Sequence, residues 1–105
     1  MKIAYGTYAM PLIRLESVIP MLAQMGYDGV EICIGSNHLE SMPDKINATR
    51  RKELKQLLQH HHLSVPAFMV LGHILEADEQ MHQNNLELIR QVAQLARDLD
   101  VGKHL

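Results

Sequence analysis

At 105 residues and 47% apolar composition, the chain can bury one small core but has no room for two domains. Its net charge of −2, with histidines neutral and no basic stripe to counter a phosphate backbone, argues against nucleic acid as a partner. No apolar run approaches the ~20 residues that span a bilayer, and no secretory signal is evident, so the expectation is a cytoplasmic protein with no membrane partner.

Lys2 to Tyr8 reads as a first strand, bounded by Met10-Pro11. Arg14 to Met25 reads as a helix, with Leu15, Val18, Ile19, Leu22 and Met25 on one face at helical spacing. Pro20 lacks an N–H and is expected to kink this helix or confine its regular part to the second half. Gly26 is placed to end it, since a residue just past a helix often adopts the left-handed conformation that glycine takes without steric cost. Val30, Glu31, Ile32, Cys33 and Ile34 then form a short buried strand. Successive side chains alternate, so Val30, Ile32 and Ile34 should face the helices, with Glu31 and Cys33 on the other side. A carboxylate there needs a reason: a pocket role, or an ion pair with a neighbour such as Lys2 or Arg14. Cys33, the single cysteine, reads as a small core residue.

A polar loop from Ser36 to Ile46 carries Asn37, His38, Ser41, Pro43 and Asp44; connections of that length are often functional. A second helix is expected from about Ala48 to His61, capped by Asn47, with Leu54, Leu57 and Leu58 inward. Arg50, Arg51, Lys52 and Lys55 read as its solvated face. His60, His61 and His62 cannot chelate one ion from regular helical geometry, because neighbouring residues point about 100° apart. Leu63 to Leu71 reads as a third strand, with Pro66 near its start and Gly72-His73 ending it. Asp78 to Leu99 is the third helix, striped by Leu88, Val92, Leu95, Ala96 and Leu99, and Val101 to Leu105 looks like the approach to a fourth strand.

The order β-α-β-α-β-α implies an α/β fold, a parallel sheet with right-handed crossovers and helices on one face. Parallel sheets are normally covered on both faces, so the other side calls for further units or another chain. LESVIPMLAQMGYDGVEI resembles the first helix and second strand of the xylose-isomerase-like barrel superfamily, the sugar phosphate isomerases and epimerases, whose relatives include family 2 apurinic endonucleases. MKIAYGTYAM, VPAFMVLGH and NNLELIRQVAQLARDL agree with it. The resemblance implies that residues 1–105 form a single partial domain, the N-terminal part of a (β/α)8 TIM barrel ending before or at strand four.

That fold places function at the carboxyl-terminal ends of the strands. The resemblance therefore implies a substrate-binding set of Thr7, Tyr8, Glu31, His38 and His73, with a small sugar or sugar phosphate as ligand. The family's divalent metal (Mn, Mg, Co or Zn) and its acid/base glutamates belong to strands five to eight, so no catalytic or metal residue is assigned within residues 1–105, which alone should be inactive. Two other readings stand beside this one: a non-catalytic assembly module that associates with itself or a partner through the open sheet face, and a metal-dependent endonuclease, which the charge disfavours.

Overall fold

Val30, Ile32 and Ile34 leave the backbone on one side of the second strand and are 0, 4 and 1% exposed. In the computed structural model, which describes residues 2–39, 41–70 and 79–102, this strand is β2 (Gly29–Ile34). It lies between β1 (Ala4–Gly6) and β3 (Phe68–Val70), both parallel to it, in the order β1-β2-β3. Tyr5 pairs with Val30, Gly6 with Glu31, and Cys33 with Met69. Helices α1 (Leu15–Gln24), α2 (Ala48–His60) and α3 (Glu79–Asp98) alternate with the strands. Val18, Ile19 and Leu22 of α1, Leu54 and Leu58 of α2, and Val92 and Leu95 of α3 join the three β2 aliphatics in one core. Each such side chain contributes about 1.5–3 kcal/mol when fully buried. Glu31 lies outside this core, and Cys33 is buried apart from it, as strand alternation requires.

β1 is shorter than expected and β3 begins later, for local reasons, while the expected end of the third strand at Leu71 lies outside the described residues. β1 stops at Gly6 because Thr7 turns into a one-turn 3-10 helix (Thr7–Ala9) and offers its hydroxyl oxygen, not its carbonyl, to the Cys33 N–H at 2.9 Å. The third strand is split by Pro66, which has no N–H for the ladder. Ser64 bridges Gly29 upstream of it, and pairing resumes at Phe68. The approach at Gly29 is close: a Cβ there would lie 2.9 Å from the Ser64 carbonyl oxygen.

Helix α1 runs unbroken through Pro20, with five residues before it and four after, so its regular part is not pushed toward the carboxyl-terminal half. It ends in a Schellman motif: Gly26 adopts φ +94°, its N–H bonds to the Ala23 carbonyl, and the Tyr27 N–H bonds to that of Leu22. The same pair of bonds closes α2 around His62 (φ 56°) and α3 around Asp100 (φ 57°). At its other end α2 is capped as expected, the Arg50 N–H donating to Asn47 Oδ1 at 2.8 Å.

The basic face of α2 is not simply solvated. Arg50 pairs with Glu16 of α1, Arg51 with Asp98 of α3 at 2.8 Å, and Lys55 with Asp100 at 3.1 Å. Arg51 also donates to the Ile46 and Pro43 carbonyls at 2.8 and 3.0 Å. The reason is the single helical layer: α2 is its middle member, and cations flanking its apolar stripe reach carboxylates on both neighbours while their stems cover apolar surface.

Candidate functional site at the carboxyl-terminal ends of the strands

The parallel sheet brings the ends of β1 and β2 to one edge, where two loops meet. The first carries Thr7 and Tyr8; the second runs from Gly35 through His38 to the one-turn 3-10 helix Pro43–Lys45. Thr7 is buried, its hydroxyl holding the Cys33 N–H, whereas Tyr8 is 61% exposed. His38 Nε2 lies 3.1 Å from the Tyr8 carbonyl oxygen, and the two rings are 6.2 Å apart. The Leu39 N–H donates to the Pro11 carbonyl, a second tie between the loops.

Ser41, which the sequence marks only as one polar loop residue, is 5% exposed and closes the second loop on itself. Its hydroxyl accepts from the Gly35 N–H at 3.0 Å and lies within donating distance of the Gly35 and His38 carbonyls, at 2.8 and 3.1 Å. A serine a few residues past a strand-ending glycine is a usable turn signal, since short hydroxyl side chains bond nearby backbone. Arg51, bonding to Pro43 and Ile46 from α2, had no such local signal; its role depends on tertiary approach.

Glu31 is half-buried beside Gly6 on the sheet face away from the core, and makes no ion pair among the described residues. The expected structural partners are not found there: Arg14 pairs instead with Glu16, at 3.6 Å. Glu31's negative charge reaches Cys33, whose thiol is pushed up from its ordinary value first by burial and then by that carboxylate. The thiol therefore stays protonated and is a poor nucleophile. Thr7, Tyr8 and His38 are thus brought together, Glu31 stands on the neighbouring strand without a hydrogen bond to them, and His73 lies outside the described residues.

Among the described residues, cavities lie at both ends of the sheet. One of about 570 Å³ opens beside the second loop, lined by Leu12, Asn37, His38, Leu39, Met42 and Lys45 among others. That is the size of a small-molecule cleft. The other, about 330 Å³, lies at the amino-terminal ends of the strands, among Lys2, Asp28, Lys55, His62 and Asp100. Several of its charged groups are already committed: Asp28 accepts from the Ile3 N–H at 2.9 Å and Lys55 pairs with Asp100. The carboxyl-terminal end is the better candidate, since barrels of this kind bind substrate there.

Parallel βα units with an open pocket at the carboxyl-terminal strand ends define a TIM-barrel-type α/β protein, of which this chain forms three units. Residues 19–105 match the family described as xylose isomerase-like TIM barrel, and the chain belongs to that family. No curated protein sequence matches it. Among solved structures it is similar to the probable 3-DHS dehydratase AsbF involved in petrobactin synthesis from Bacillus anthracis, with a TM-score of 0.71 at 18% identity. The likeness covers 96% of this chain and 36% of that one, so the chain spans about a third of the length of that neighbour. Among the described residues no three His, Cys, Asp or Glu side chains gather as a metal site. These residues do not by themselves fit the divalent metal that the family resemblance implies.

Proposed function

We propose that the chain supplies the first three βα units of a barrel that moves a proton between adjacent carbons of a small sugar or sugar phosphate, in the manner of a sugar phosphate isomerase or epimerase. Glu31 carries the reading: a carboxylate in the central strand, on the face away from the helices, with no cation beside it among the described residues. Keeping such a group half-buried costs free energy unless a ligand or a neighbouring unit meets it. As an ionised carboxylate it accepts hydrogen bonds from sugar hydroxyls, while the exposed Tyr8 ring offers an apolar face with a polar tip. Family membership supports the same reading, and the cleft at this end has His38 on its wall. The side of the sheet bearing Glu31 and Cys33 is then barrel interior, covered by further strands or, for the chain by itself, by a second copy.

The test is a titration of the chain with D-xylulose and with xylulose phosphate, followed by amide chemical shifts. Shifts are expected at residues 7–9, 31 and 38, with affinity lost in Glu31→Gln. Shifts confined to residues 58–64 at the opposite end would overturn the assignment.

A further inference from the structure

The hydrogen bonds of His38 determine its protonation and, through it, what the residue can do. A carbonyl oxygen only accepts, so the 3.1 Å contact with the Tyr8 carbonyl requires a proton on Nε2. Nδ1 is buried and has no hydrogen-bond partner among the described residues. Placing the proton there, as in the other tautomer, would bury an N–H with no acceptor among the described residues while leaving Nε2 facing a carbonyl oxygen with nothing to donate. The state compatible with both nitrogens is the Nε2–H tautomer. In that state Nε2–H is used on Tyr8 and Nδ1 is sealed from solvent, so neither nitrogen is presented to a ligand.

What the ring does reach is the backbone of the residue that is presented. His38 and Leu39, adjacent on the second loop, bond to Tyr8 and Pro11, three residues apart on the first. Ser41 holds the second loop closed behind them, and Thr7, next to Tyr8, is pinned by the Cys33 N–H. Tyr8 is fixed from both sides through its backbone while its ring stays in the open.

We propose that His38 is a positioning residue, held as the Nε2–H tautomer, that sets the place of Tyr8 for the ligand without offering the ligand a ring nitrogen. This rests on the reading that Tyr8 lines the substrate end, and the experiment has two arms that fail separately. In the first, no ligand is needed: long-range nitrogen-proton correlation on histidine-labelled chain reports the tautomer. A single Nε2–H form is expected, with His38→Ala displacing the backbone resonances of Tyr8 and Ala9 and His38→Gln restoring them. Glutamine qualifies because its amide nitrogen lies about as far along the side chain as Nε2. An Nδ1–H or mixed population overturns the proposal whatever the chain binds.

The second arm is a double-mutant cycle read by D-xylulose affinity. His38→Ala is expected to weaken binding roughly tenfold, on the scale of one lost positioning bond. In a Tyr8→Ala background it should cost nothing more, because its effect passes through Tyr8. Additive losses would mean that His38 contacts the sugar directly and would overturn the positioning role. Absence of D-xylulose binding in the unsubstituted chain would overturn the ligand part of the proposal and leave the tautomer result to decide the rest.

Discussion

His62 and Asp100 occupy the left-handed position at which α1 uses glycine. A side chain there costs about 1 kcal/mol, since Cβ crowds the following carbonyl. His62 is exposed and has no ion pair among the described residues, whereas Asp100 holds Lys55. His62→Gly should therefore stabilise the chain by roughly 0.5–1 kcal/mol, less the added freedom of the unfolded state, and raise the urea midpoint. Gly29→Ala should do the opposite and cost about 1–3 kcal/mol, because the new methyl would press on the Ser64 backbone oxygen where β2 first pairs with the third strand. Cys33 belongs to the same scale. Its raised thiol pKa and 2% exposure predict that iodoacetamide modifies it only on the unfolding timescale, as mass spectrometry across a urea series would show. Alternation along the strand made the facing of Glu31 and Cys33 legible in advance. The hydroxyl of Thr7 standing in for a ladder carbonyl was not, because side-chain substitution leaves no periodic trace.

Elements were legible where the pattern was long. The caps at Asn47 and Gly26 and the stripe of α3 are local properties of the chain; α1 and α2 begin and end, and α3 ends, within a residue or so of where spacing puts them, the expected start of α3 at Asp78 lying outside the described residues. Strand ends were not, since β1 stops where a side chain takes over from backbone pairing and β3 begins only past a proline. The charged face of α2 misled for another reason: a basic row looks the same on paper whether water or neighbouring helices meet it. Its ion pairs also predict an acid response. The Arg51 guanidinium hydrogen-bonded to Asp98 holds that carboxyl below the ordinary range, and Arg50 does the same for Glu16. Lowered folded pKa values mean stabilisation that is complete above the unfolded value of about 4 and lost as pH falls through the folded one. Both carboxylates are partly open to water, so the effect should be modest. Urea midpoints should be level above about pH 5 and fall below about pH 4, and the fall should be shallower in Arg51→Met.

At the scale of the whole molecule, the sheet has its helices on one side; Met69 on the other side, and Ile3, Tyr5 and Val70 at the edges on or beside the outer strands, are 39 to 50% exposed. At ~25 cal/mol per Å², a few hundred Å² of such surface forfeits several kcal/mol. That is comparable with the ~5–15 kcal/mol stability of a whole domain. The 105-residue chain on its own should sediment above its 11.9 kDa mass, with a melting temperature that rises on concentration. A monomer melting sharply at a concentration-independent temperature would show that three units close their own core. Arg51 adds a constraint on how such a body comes apart. One guanidinium joins α3, through Asp98, to the loop segment that carries Pro43 and Ile46, so loosening either member deprives the other of a shared partner. The rim of the cleft and the helix packed against it then belong to one cooperative unit, and their amides should exchange with solvent through the same opening event. A graft that replaced the loop but kept α2 and α3 would have to return two carbonyls to that guanidinium, or accept a rim that breathes independently of the layer beneath it.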